Sequence, residues 1–203
     1  ILGTGSNSGL YVDGKISDKV PAMGYSLGDE GSGTDIGKRL VNALHKRNLG
    51  EALSEAIIAE EGLSMDEILD HVPHANRYLA SLTKIAIKHI DKVEIRTLVK
   101  QAFEDFIQKN ISKYNDFESK KIGFAGSVAF HFKDILNEVL STHNLICDRV
   151  IATPIQGLVE YHTRIAAEKT GDPSAITESS SMYENLEAMS VKELLENLNR
   201  EDG

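Results

Sequence analysis

The chain is poor in cysteine, in basic residues and in uninterrupted apolar sequence, and each shortage closes off a class of function. One cysteine, Cys147, stands among 203 residues, so no internal disulfide or cysteine-rich metal site can form within the chain. Its setting, Leu145-Ile146-Cys147, is apolar and strand-like and reads as a buried structural thiol rather than a nucleophile or ligand. No apolar run approaches the roughly 18 residues that a membrane span needs, and nothing reads as a signal peptide. Lysine and arginine total 22 against 31 aspartates and glutamates, a net charge of −9. That balance argues against nucleic-acid binding, which needs basic patches to meet phosphates. The acidity is uneven: from Glu168 onward nine acids face three bases, so the tail carries −6 and the body only −3.

What is present suffices for one substantial core, with 41% apolar and 26% charged residues. The first residue is Ile1 and belongs to a strand already under way, so the sequence reads as a piece of a longer protein. Ile1-Leu2 runs straight into Gly3-Thr4-Gly5-Ser6-Asn7. A short buried strand must turn sharply there, where glycine lets backbone N–H groups and two hydroxyls come close to an anion. Leu10-Tyr11-Val12, Asp13-Gly14 and Lys15-Ile16 form a hairpin signal, and the chain is expected to open with three short, locally antiparallel strands. A second glycine-bounded turn, Gly28-Asp29-Glu30-Gly31-Ser32, is acidic. Asp29 admits two readings, a carboxylate that accepts from ligand hydroxyls or an acid favoured by the dipole of the helix that follows. Residues 32–39 approach a phosphate-loop pattern, but Ser32 replaces its first glycine and Arg39 its final hydroxyl residue, so that reading is rejected.

Helical periodicity fills the middle of the chain. Ile36, Leu40 and Leu44 recur at four-residue spacing over 35–48, a weaker helical stretch covers 51–60, and Leu79, Leu82, Ile85 and Ala86 precede the clearest signal. There Ile95, Leu98, Val99, Ala102, Phe103, Phe106 and Ile107 line one wide apolar face of core residues. The pattern then becomes strand, helix, strand, helix: Ile122-Gly123-Phe124-Ala125, a helix from Gly126-Ser127 carrying Val128, Phe132, Ile135, Leu136 and Val139, a strand over 145–152, and a helix opened by Pro154. A glycine between strand and helix is a natural phosphate contact, because the first helical N–H groups are unpaired. His71 and His74 flank Pro73 and read as a surface turn. The other histidines have no partner at ligand spacing, so no metal site is expected, although His131, one turn after Ser127, is placed to line a nucleotide pocket.

Gly3-Thr4-Gly5-Ser6-Asn7, then Gly24-Tyr25-Ser26-Leu27-Gly28-Asp29-Glu30-Gly31-Ser32, then Gly126-Ser127-Val128 together resemble the N-acetylglucosamine kinase branch of the BadF/BadG/BcrA/BcrD ATPase family over about residues 1–165. The resemblance implies an α/β fold, the actin-like (ribonuclease H-like) C-terminal lobe of a sugar kinase with a helical insertion at about 34–113. It implies ATP and Mg2+ as cofactors, a small-molecule amino sugar as substrate, and a cytoplasmic enzyme that binds neither nucleic acid nor membrane. Oligomeric state stays open, with a homodimer one option. By resemblance Gly3, Thr4, Gly5, Gly126 and Ser127 face the nucleotide, and Ser6, Asn7, Gly24 and Asp29 face the sugar. The family's first phosphate loop and the aspartate that takes the hydroxyl proton lie upstream of Gly3, so no catalytic base is assigned here, and the fragment alone is expected to be inactive. The family's iron–sulfur branch is disfavoured by the lone Cys147.

After a linker at 169–175, the sequence Thr177-Glu178-Ser179, Tyr183 to Leu195 and Asn199-Arg200-Glu201-Asp202 resembles the extreme N-terminus of N-acetylmuramic acid 6-phosphate etherase. Two capping boxes, Ser181 with Glu184 and Ser190 with Glu193, predict a short helical C-terminal extension. The expected organisation is a kinase lobe over 1–168 and the leading helices of an etherase domain over 176–203, joined for cell-wall sugar recycling. A stand-alone N-acetylglucosamine or glucosamine kinase with a docking tail, and a non-catalytic sugar or nucleotide sensor of the same fold, remain alternatives. Which amino sugar is used stays open.

Overall fold

The computed structural model describes residues 1–71 and 76–170. The sequence at 176–203, with both capping boxes, lies outside them, as does His74. Two units divide at 152/153. Strands β1 (Leu10–Val12) and β2 (Lys15–Asp18) pair antiparallel. Their connection is the expected two-residue turn: Asp13 (φ 49°) and Gly14 (φ 81°) are both left-handed, which matches the twist of the flanking strands. The third predicted strand is absent. Ile1-Leu2 turns back within its own loop, leaving a single Leu2–Ser6 bridge, and the Leu2 N–H donates instead to the carbonyl of Ala125 at 2.8 Å.

Among the described residues seven α-helices follow: α1 (Gly24–Leu27), α2 (Gly33–His45), α3 (Glu51–Glu61), α4 (Met65–His71), α5 (Asn76–Ser81), α6 (Thr83–Lys88) and α7 (Val93–Lys109). Ser32 caps α2 by accepting from the Asp35 N–H, and Ile36, Leu40, Ala43 and Leu44 bury one stripe of it. Gly62 (φ 63°) closes α3 in the left-handed conformation that glycine adopts without penalty. The continuous helix expected across Leu82 is instead two, because Leu82 lies between α5 and α6. Beyond α7, β3 (Lys121–Ala125), α8 (Ser127–His131), α9 (Lys133–Thr142) and β4 (Ile146–Ile151) make a βαβ unit with the strands parallel. Phe132 (φ −104°, ψ 24°) splits its helix in two and is itself buried. Cys147 is half-buried rather than fully buried, since β4 is largely exposed along its length. Burial, with Asp148 adding to it, pushes the Cys147 thiol up despite nearby Lys133, which keeps it a poor nucleophile.

One apolar cluster joins the helical block to the βαβ unit, running from Leu2 through Leu40, Phe103 and Phe106 to Phe124, Phe132 and Leu136. Phe103 and Phe132 meet edge-on, with centroids 6.3 Å apart, where α7 packs on α9. In the second unit α10 (Ile155–Thr170) begins after Pro154, whose carbonyl accepts from Leu158. Replacing Phe103, which is fully buried, by Ala is expected to cost roughly 3–5 kcal/mol in urea unfolding; a loss under about 1 kcal/mol would mean that α7 and α9 are not packed in this way.

Candidate active site

Leu2 is the residue on which the candidate segments meet. Its side chain is fully buried and touches the position a Gly31 side chain would take. Its N–H donates to Ala125, the last residue of β3, and its carbonyl accepts from Ala129 in α8 at 3.2 Å. Gly126, between β3 and α8, therefore lies directly against the Leu2 backbone: a Cβ there would stand 2.2 Å from the Leu2 oxygen, and its φ of 125° is one that only glycine adopts readily. This is the carboxyl end of a parallel strand, where open α/β sheets bind their ligands.

The loop that follows Leu2 is fixed from the other side by α2. The Gly33 N–H donates to the Gly3 carbonyl at 2.8 Å, and the Thr34 N–H to the Thr4 carbonyl at 3.1 Å. The Thr34 hydroxyl adds a 2.6 Å bond to that same Thr4 oxygen and meets Asn76 Oδ1 at 2.7 Å. With Asp35 N–H bonded to Ser32 Oγ, the first-turn amides of α2 are all engaged by protein. This helix start anchors the loop and offers no amide to an anion. The side chain of Thr4 remains exposed.

Asp29 approaches from the second acidic turn. It is only 6% exposed, holds a left-handed φ of 59°, and accepts from the N–H of Ser6, itself 7% exposed, at 3.2 Å. Gly5 makes room for it, because a Cβ at Gly5 would lie 3.0 Å from Asp29 Oδ2. Its carboxylate is bonded to the Ser6 loop, and the residue that caps α2 is Ser32.

Of the candidate residues, Gly3, Thr4, Gly5, Ser6 and Asp29 are brought into one hydrogen-bonded assembly, with Gly126 packed against its Leu2 root. Ser127 stands exposed at the head of α8, where the Ala129 amide is already used by Leu2. Asn7 is half-buried with its Oδ1 bonded to the Ser8 N–H. Gly24 is exposed, has open space where a side chain would be, and joins Asp29 through a tight loop in which Gly28 N–H meets the Gly24 carbonyl and Asp29 N–H that of Ala22. A cavity of about 370 Å³ beside Tyr11, Tyr114, Phe117 and Phe124 shares only Asn7 with these residues. His131 is exposed at the end of α8.

The sequence reading missed Thr34 and the charged chain behind Asp29. Asp35 accepts from the Gly31 N–H at 3.0 Å and from Arg39 Nε at 3.0 Å, and Arg39 also bonds Asp105 on α7. The spacing Ser32-x-x-Asp35 approaches a capping box and marks the Ser32 cap, but the Asp35 carboxylate reaches one residue further back, to the Gly31 N–H. Burial is the largest single influence and works against the charged forms, yet the Arg39–Asp105 hydrogen bond together with Gln101 and Lys109 around Asp105 and with Asp35 beside Arg39 outweighs it, holding the Asp105 carboxyl below its usual range and the Arg39 guanidinium above its own. Elsewhere Glu60, Glu61 and His89 converge. Lys88 Nζ lies 2.9 and 2.7 Å from the two carboxylates and His89 Nε2 3.0 Å from Glu61, so the acids are met by a lysine and an imidazole.

No family model matches the chain, and no curated protein matches it significantly. Among solved structures it is similar to the crystal structure of the "Putative N-acetylglucosamine Kinase" from Porphyromonas gingivalis, with 38% sequence identity and a TM-score of 0.75 over 79% of this chain. The chain spans 58% of that protein. The likeness shows that the fold is the mixed α/β fold of that neighbour.

Two glycines test the geometry. Gly126→Ala should destabilise the chain by roughly 3 kcal/mol or more, since both the backbone angle and the Leu2 oxygen oppose a side chain. Gly3→Ala, which meets nothing within 4 Å, should cost about 1 kcal/mol or less. Equal losses in denaturant unfolding would show that the Leu2–Gly126 contact is not made.

Proposed function

We propose that the chain is the C-terminal lobe of an actin-like, ATP-dependent amino-sugar kinase that phosphorylates N-acetylglucosamine or N-acetylmuramic acid at the 6-position. The observation that carries this reading is the buried Asp29 carboxylate bonded to the Ser6 amide, on a loop whose root is wedged against Gly126. Phosphoryl transfer asks a protein for positioning and electrostatic stabilisation more than for covalent chemistry, and these residues are suited to that. Asp29 accepts hydrogen bonds from sugar hydroxyls on its remaining lone pairs, Ser6 and Asn7 contact the amino-sugar substituent, and Gly24 offers backbone. The exposed Thr4 hydroxyl faces phosphate, and Gly126 with Ser127 lines the nucleotide. MgATP, when bound, supplies the phosphoryl group. The base that takes the hydroxyl proton belongs to residues upstream of Gly3 in this reading.

The proposal extends to the tail. The resemblance of residues 176–203 to the start of N-acetylmuramic acid 6-phosphate etherase supports a fused enzyme that phosphorylates a recovered cell-wall sugar and then removes its D-lactate, in the cytoplasm.

Incubating the protein that carries this chain with MgATP and either sugar, and following products by mass spectrometry, tests both parts. Phosphosugar is expected from at least one sugar, with D-lactate released from N-acetylmuramic acid. Asp29→Asn should lower kcat/KM by roughly 100-fold, the scale of a lost charged hydrogen bond. Phosphosugar without lactate would remove the etherase part. Sugar binding without any phosphosugar would replace the kinase by a sensor.

A further inference from the structure

We infer that Arg39 is a positioning residue for the site: acting through Asp35 and the Gly31 turn, it holds the Asp29 carboxylate where the amino-sugar reading above requires it, on which this inference rests. The turn that presents Asp29 is unusual in its backbone. Asp29 (φ 59°) and Gly31 (φ 71°) are both left-handed, a conformation that aspartate tolerates better than most residues but that still costs a side-chain-bearing residue some free energy. Main-chain bonds supply part of the restraint: Asp29 N–H to the Ala22 carbonyl, and Ser32 N–H to the Asp29 carbonyl at 3.1 Å.

Charge supplies the rest. Gly31 N–H is held by Asp35 Oδ2 while Asp35 Oδ1 receives Arg39 Nε, so one carboxylate ties the turn to an arginine one helical turn along α2. That arginine reaches across to Asp105 on α7, whose other oxygen receives Gln101. A guanidinium fork spans two carboxylates on different helices at once, which a lysine ammonium cannot do with the same geometry. The neighbouring residue of the turn is tethered to α7 as well, with Asn110 Nδ2 3.4 Å and Lys109 Nζ 3.8 Å from the Glu30 carboxylate. Residues 30 and 31 are thus gripped by α7 and α2, and Asp29, next to them, reports any loosening through its bond to Ser6. Arg39 is one of the two residues, with Ser32, that depart from the phosphate-loop pattern at 32–39; its place in that segment is accounted for by this ion-pair chain.

Amide hydrogen exchange on the full chain, read residue by residue without ligand, tests the inference independently of the kinase reading. In Arg39→Lys, exchange at Gly31 and Ser6 should accelerate roughly tenfold or more, the scale of one lost charged hydrogen bond, while buried amides at Phe103 and Leu136 stay unchanged. Asp105→Asn, a milder change, should move the same two amides in the same direction. Asp29→Asn should free Ser6 while leaving Gly31 protected. Uniform acceleration along α2 and α7 would make Arg39 a general stabiliser and overturn the proposal, as would unaltered Ser6 exchange in both Arg39→Lys and Asp105→Asn. Titration of N-acetylglucosamine and of N-acetylmuramic acid into the same samples separates the two claims: absent binding of both in the wild type would sink the sugar reading, whereas the exchange pattern alone decides the role of Arg39.

Discussion

The placement of Leu2 between the end of β3 and the start of α8 is the constraint on which the rest of the site depends. Three restraints act on one residue: its amide on Ala125, its carbonyl on Ala129, and its side chain in the core beneath Gly31. A loop of glycines and small polar residues has little intrinsic order, since glycine loses the most conformational freedom on folding. Anchoring its first residue in the core, and its Gly3 and Thr4 carbonyls on α2, removes that freedom where a ligand would have to meet it. Gly126 and Gly5 then have a shared explanation. Each is a point where another group, the Leu2 backbone or the Asp29 carboxylate, comes too close for a side chain.

The same economy governs the polar groups. Helix starts are ready-made anion sites when their amides are free, but α2 uses its first-turn amides to hold a loop and a cap. Its role is to present Thr4 and, through Asp35, the turn bearing Asp29. Phosphate is left to Thr4 and the Gly126-Ser127 segment in the proposed assignment. The acid-rich turn is stabilised by charges of α2 and α7 that point at its backbone and at Glu30, so the Asp29 carboxylate is free of an ion pair within this network.

Much of the fold was legible in the chain because local signals there agree with the tertiary outcome. Asp13-Gly14 dictated the hairpin, the apolar stripe from Ile95 to Ile107 dictated α7, and the short apolar runs at 122–125 and 145–152 gave the parallel pair. What was not legible depended on long-range partners. The Leu2 amide had a choice between a local strand and Ala125, over a hundred residues away, and took the latter. Leu82 and Phe132 interrupt helices whose periodicity continues through them, since both side chains are buried at those breaks and periodicity records burial rather than backbone continuity. The left-handed Asp29, the Arg39–Asp105 pair and the Lys88 cluster all join elements far apart in sequence, where no spacing rule reaches. Their local traces were Ser32-x-x-Asp35 and the four-residue spacing of Asp35 and Arg39 on α2.

The most direct measurement of the central claim, that these segments converge on one sugar and nucleotide site, is a structure of the protein with N-acetylglucosamine and MgADP bound. The account predicts a sugar hydroxyl in hydrogen-bond contact with Asp29 beside Ser6 and Asn7, and phosphate oxygens beside Thr4 and Gly126-Ser127. A sugar seated in the cavity by Tyr114 and Phe117, with Asp29 still bonded only to Ser6, would contradict it.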